Sequence, residues 1–180
     1  MTSAGSSITN QGDVEAKDGG VDMDAKTDLH NQGAVTGSQD VELTSGQSMT
    51  NEKAATAGQD LTMEAGTTLT NGGALTAENG AVSLTAQKEL LNKGKVQAGT
   101  AVTMASAGSS ITNQGDVEAK DGGVDMDAKT DLHNLGAVTG SQNVELTSGQ
   151  SMTNEKAVTA GTAVTMTSAG SSITNQGDVE

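Results

Sequence analysis

Any chemistry in this chain has to come from few kinds of side chain. Its 180 residues include two histidines, nine lysines, no arginine and 23 acidic residues, with no Cys, Pro, Phe, Tyr or Trp. The lack of Cys excludes disulfides, thiolate nucleophiles and cysteine-held zinc or iron–sulfur centres. His30 and His133 occupy equivalent places in two near-identical segments. They stand five repeat units apart, about 24 Å if each unit adds one interstrand spacing. At that distance they share no metal, and they support no Ser–His–Asp triad, which needs convergent side chains. The run Asp18-Gly19-Gly20-Val21-Asp22-Met23-Asp24 has a superficial likeness to a calcium-binding nonapeptide. Asp22 stands where that motif needs Gly, Lys26 stands where it needs an apolar residue, and the repeat period is not nine. Asp22 and Asp24, repeated as Asp125 and Asp127, are expected to form a solvated acidic face, with adventitious divalent-cation binding as the sharper alternative.

Two further chemistries are weighed and set aside. Paired carboxylates can cleave glycosides, but loops of about four residues without Arg or an aromatic ring offer no grip on sugar. A threonine lattice for ice is spoiled by the mixed column Glu15, Thr36, Thr56, Thr76, Gln97. The chain is therefore read as non-catalytic, with no cofactor and no metal site.

Composition alone points to disorder. Net charge is −14 and only 33% of residues are hydrophobic, the signature of chains that cannot bury enough apolar surface. Missing aromatics argue against an ordinary globular enzyme core. Excess acid without Arg argues against a nucleic-acid surface. No apolar run reaches the roughly 18 residues of a membrane helix, and the polar start after Met1 reads as lacking a secretory signal.

Internal recurrence overturns the disordered reading. Residues 3–58 return at 106–161 with three changes: Gln32 becomes Leu135, Asp40 becomes Asn143 and Ala55 becomes Val158. The segment SAGSSITNQGDVE stands at 3–15, 106–118 and 168–180. The diverged units align on one asparagine, at Asn10, Asn31, Asn51, Asn71, Asn92, Asn113, Asn134, Asn154 and Asn175, always 20 or 21 residues apart. Two residues earlier lies an apolar one: Ile8, Leu29, Met49, Leu69, Leu90, Ile111, Leu132, Met152, Ile173. A second column six residues after it runs Val14, Val35, Ala55, Leu75, Val96, Val117, Val138, Val158, Val179, with a small residue two further on. Then come Val21, Val41, Leu61, Val82 and Val102, each followed at steps of two by Met or Leu and by Ala or Ser. Alternation at period two marks strands with one buried face. Extra residues fall in the corner segments 17–20, 78–81, 120–123, 107–110 and 169–172, never between the first two columns.

Three short strands per 20-residue coil predict an all-β parallel solenoid of roughly 8–9 turns, a single repeat array over 1–180. At about 4.8 Å per turn, eight turns make a rod about 40 Å long. Pro is absent because backbone N–H groups feed ladders between turns. The Asn column is expected to be a structural amide ladder. Gly two residues after Asn, in seven of nine units, is expected to supply a positive φ at the corner; Lys53 and Lys156 are the exceptions.

Units such as Leu69-Thr70-Asn71-Gly72-Gly73-Ala74-Leu75-Thr76-Ala77 and Leu61-Thr62-Met63-Glu64-Ala65-Gly66 resemble the filamentous haemagglutinin repeat, from about Ser3 to Glu180. The resemblance implies a right-handed parallel β-helix, the shaft of a two-partner-secretion exoprotein such as an adhesin or a contact-dependent inhibition toxin. It also implies secretion to the surface of a Gram-negative bacterium and an outer-membrane transporter partner, whose binding domain is not recognised in this sequence. The chain reads as an excerpt from a longer shaft. Two alternatives accompany the passive spacer: a fibre built by end-to-end stacking of copies, and a shaft that itself binds glycan or protein.

Overall fold

A computed structural model describes residues 1–3 and 5–180; Ala4, inside the first copy of the thrice-repeated segment, lies outside the described residues. Among the described residues there is no helix, and 26 strands run in three parallel sheets of nine, nine and eight. One coil takes a five-residue strand such as Leu61–Ala65, then Leu69–Asn71, then Leu75–Ala77, before Val82–Ala86 opens the next. Each strand pairs with its counterpart one coil before and one coil after, so no strand pairs with its sequence neighbour.

The alternation of side chains explains each strand. In Leu61–Ala65 the buried residues are Leu61, Met63 and Ala65, while Thr62 and Glu64 point outward. In Leu75–Ala77 the inward pair is Leu75 and Ala77. Like stacks on like: Leu61 pairs with Val41 and Val82, Met63 with Leu43 and Leu84, Asn71 with Asn51 and Asn92. The result is one continuous apolar core from Ile8 to Val158. Burying each Val, Leu or Met contributes roughly 1.5–3 kcal/mol, so many small side chains do together what a few aromatic rings do elsewhere.

Backbone bonds between coils lock this register. Val21 N–H donates to Asp40 O at 2.8 Å, Val41 N–H to Asp60 O at 2.9 Å, and Leu61 N–H to Ala81 O at 2.9 Å. The corner 78–81, between Leu75–Ala77 and Val82–Ala86, holds one residue more than its counterpart in the preceding coil, yet Leu61 and Val82 still pair. A bulge inside a strand would turn its inward residues to solvent; in a corner the extra residue leaves the ladder intact.

The corner glycines correct one expectation. No glycine among the described residues has a positive φ. Space is the reason for them instead. A Cβ on Gly33 would lie 2.0 Å from Gly12 O, one on Gly73 2.0 Å from Lys53 O, and one on Gly94 1.9 Å from Gly73 O. The backbones of successive coils approach too closely at this corner for a side chain that points along the stack. Lys53 and Lys156 hold the same column with exposed side chains.

This predicts a sharp contrast between two glycines. Gly94→Ala, forced against the backbone below it, should cost about 1–3 kcal/mol. Gly19→Ala, with nothing within 4 Å of its new methyl, should stay within about 0.5 kcal/mol. Urea midpoints of the two variants check the difference.

Candidate functional site

The polar heart of the molecule is the asparagine column. Each Asn is the last inward residue of a three-residue strand, placed there by alternation from the apolar residue two before it, as in Leu69–Asn71. Asn10 is 8% exposed and Asn31 through Asn154 are 0% exposed; Asn175 is exposed. Asn10 Nδ2 donates to Asn31 Oδ1 at 2.7 Å, Asn31 to Asn51 at 2.7 Å, and Asn51 to Asn71 at 2.8 Å. Asn71 to Asn92, Asn92 to Asn113, and Asn113 to Asn134 follow at 2.8 Å. Asn134 to Asn154 and Asn154 to Asn175 close the series at 2.7 Å.

The second proton of every amide is also committed. Asn71 Nδ2 donates to Gly73 O at 2.7 Å, and Asn51 Nδ2 to Lys53 O at 2.7 Å. That carbonyl only accepts, so the nitrogen must face it and the oxygen must face the previous coil. The orientation is therefore forced, and all eight links point the same way along the rod. Aligned amides polarise one another, which strengthens the chain of bonds. The side chain thus joins neighbouring coils and clamps its own corner. Only the carbonyl at the second position is used, so this bond itself does not depend on Gly: the Lys53 carbonyl accepts it as the Gly73 carbonyl does.

A second set of residues caps the strand entries, and sequence reasoning missed it. Asp13 Oδ1 accepts from Ala34 N–H at 2.8 Å, and Asp116 Oδ1 from Ala137 N–H at 2.9 Å. Asp40 accepts from Asp60 N–H at 3.1 Å, and Asp60 from Ala81 N–H at 2.8 Å. Asp28 and Asp131 do the same for Ser48 and Ser151. Each of these carboxylates satisfies a backbone donor of the following coil at or just before the start of a strand. The available signal was Asp directly before the first inward residue, as in Asp13-Val14, Asp40-Val41 and Asp60-Leu61.

The remaining candidates do not converge. His30 Nε2 lies 2.6 Å from Glu52 Oε1, and this bond, aided by Gln32 and Lys53, holds the Glu52 carboxyl below its ordinary range. His133, with Thr112 and Thr153 as its ladder neighbours, is five coils away. Asp22 pairs with Glu42 across the long-stranded sheet, and Asp125 pairs with Glu145. Partial burial, then the charges of Glu145 and Asp127, push the Asp125 carboxyl up. Lys95 Nζ reaches Glu118 Oε2 at 3.2 Å, with Gln97 on the same oxygen at 3.0 Å. Among the described residues no group of three or more His, Asp or Glu is placed to hold a metal ion. One inward hydroxyl, Ser148 Oγ, is buried without a partner, whereas its counterpart Ser45 Oγ donates to Gln47 O at 3.4 Å.

Compared with known proteins, the chain matches the family model described as the haemagglutinin repeat over residues 2–79, 34–121 and 110–180. No curated protein and no solved structure matches it.

Two outcomes follow from this geometry. Asn71→Ala leaves the Gly73 carbonyl and the Asn51 and Asn92 amides short of partners, and should cost about 1–3 kcal/mol; a shift of a few tenths in chemical denaturation would refute the ladder's role. Asp125 has a raised folded pKa, so its ionisation opposes folding at neutral pH and that penalty fades as pH falls through the carboxylate range. Asp125→Asn should therefore raise Tm at neutral pH, and the gain should shrink towards zero in acid.

Proposed function

Because the chain belongs to the haemagglutinin-repeat family, we propose that it is the shaft of an adhesin-type exoprotein: a non-catalytic extracellular spacer that holds an active end away from the surface bearing it. The observation that carries this reading is the unbroken register. Equivalent residues pair coil after coil through all three sheets, so each added coil lengthens the rod without altering its section. A stack of this kind gains stability from nearest-neighbour contacts, which lets length vary freely while the surface stays periodic. The outward acids are spread along the rod, and −14 net charge favours solubility of an elongated body.

Within this reading the chain is one repeat array over 1–180. It works at the surface of, or secreted from, a Gram-negative cell, and an outer-membrane transporter partner engages a segment outside the array. No helix among the described residues is long and apolar enough to cross a membrane. The Asn column and aliphatic columns carry the function by stiffening the rod.

The test uses the exoprotein that carries the array. Deleting residues 3–105 removes five coils and keeps the register, because 106–118 repeats 3–15. Electron microscopy should then show the distance from base to tip shortened by about 24 Å, with the tip's activity in solution unchanged. Loss of that activity would contradict a passive spacer and favour direct binding by the shaft. Particles that lengthen in whole multiples of the chain at rising concentration would favour the self-assembling fibre.

A further inference from the structure

The sequence contains four steps of the type that closes to a succinimide: Asn71-Gly72, Asn79-Gly80, Asp18-Gly19 and Asp121-Gly122. Three of them occupy the same place in the fold, the four-residue corners 17–20, 78–81 and 120–123. The fourth lies in the asparagine ladder. The two Asn-Gly steps therefore share one dipeptide and differ only in surroundings.

At Asn71 the reaction is blocked on both sides. Both Nδ2 protons are committed, to Gly73 O and to Asn92 Oδ1. The attacking atom would be the Gly72 nitrogen, and its N–H donates to Asn51 O at 2.7 Å. The side chain is 0% exposed, so neither water nor a base reaches it. At Asn79 these restraints are missing. The residue is exposed and outside any strand, and its Nδ2 makes one bond, to Gly58 O at 2.8 Å on the surface. The Gly80 N–H has no hydrogen-bond acceptor among the described residues. Packing also dictates the glycine, since a Cβ on Gly80 would lie 2.3 Å from Asp60 Oδ1 and 2.6 Å from the Gln59 carbonyl carbon. The fold thus demands a glycine, itself buried, beside an exposed asparagine, and gives that glycine's N–H no acceptor among the described residues.

We propose that the 78–81 corner is a site of spontaneous covalent modification, and that the ladder protects the identical step at Asn71. The Gly80 nitrogen loses its proton and bonds to Asn79 Cγ; the Cγ–Nδ2 bond breaks and ammonia leaves, giving a five-membered succinimide. Water then adds to either ring carbonyl and opens the ring to aspartate or to isoaspartate. Isoaspartate inserts one extra backbone atom at the corner, and either product adds a carboxylate near Asp60, whose Oδ1 caps the Ala81 N–H at 2.8 Å. The corner loosens while the paired strands Leu61–Ala65 and Val82–Ala86 on either side of it keep their ladder. Modification of Asn79 accumulates with time and requires no enzyme.

The experiment incubates the whole chain at mildly alkaline pH, folded and in concentrated urea, and maps deamidation and isoaspartate by fragmentation mass spectrometry. In the folded chain Asn79 should convert at least about tenfold faster than Asn71, because only local opening exposes the latter. In urea the two should converge. Asn79→Gln should abolish the folded-state product without changing the circular dichroism spectrum. Equal conversion of Asn71 and Asn79 in the folded chain, or an Asn79 that stays intact there while converting in urea, would overturn the proposal.

Discussion

The backbone hydrogen bonds that run from coil to coil, such as Val41 N–H to Asp60 O and Leu61 N–H to Ala81 O, set the terms for everything else. They fix successive coils one interstrand spacing apart, about 4.8 Å, with no freedom to slip. A one-residue slip would turn the inward face of a strand to solvent. Every inward side chain must therefore fit directly above its counterpart. The same close stacking leaves no room for a Cβ at corners where backbones nearly touch, as at Gly33, Gly73 and Gly94. It also confines length changes to the corners. The composition that looked like disorder is what a narrow, repeating interior admits.

Within that frame the asparagine column resolves a problem of polar burial. An amide in an apolar interior is costly unless its donors and acceptor find partners. Here each fully buried Asn donates both protons and accepts one, and the partners come from the stack itself. A residue that would destabilise an isolated coil thus becomes favourable only when coils are stacked in register. This makes the column a check on register as well as a source of stability, because a slipped neighbour would leave the amide unpaired. The aspartate caps at Asp13, Asp40, Asp60 and Asp116 apply the same logic at the surface, each closing a backbone donor of the next coil.

The columns, the parallel solenoid and the corners that take insertions were legible in the sequence, because stacking forces the same residue type to recur at the same step. Asn71 stands above Asn51 in space for the reason that it stands 20 residues after it in the chain. Other features were hidden. The aspartate caps recur at three different corners, so they form no single column, and their charge invited a reading as a solvated face. The corner glycines were read through φ, whereas the cause is distance to the neighbouring coil, which no single coil reveals. The bond between His30 and Glu52 joins adjacent columns of successive coils, and depends on side-chain direction rather than on spacing. The opening candidates for chemistry, the two histidines and the paired acids, stay spread along the rod.

The central claim is that buried, directional amide bonds hold the coils in register, and side-chain amide hydrogen exchange measured by NMR tests it most directly. The account predicts slow exchange of the Nδ2 protons of Asn31, Asn51, Asn71, Asn92, Asn113, Asn134 and Asn154, comparable with the protected backbone amides of the same strands, and faster exchange at exposed Asn79. Nδ2 protons that exchange at the rate of free amides while the backbone stays protected would contradict it.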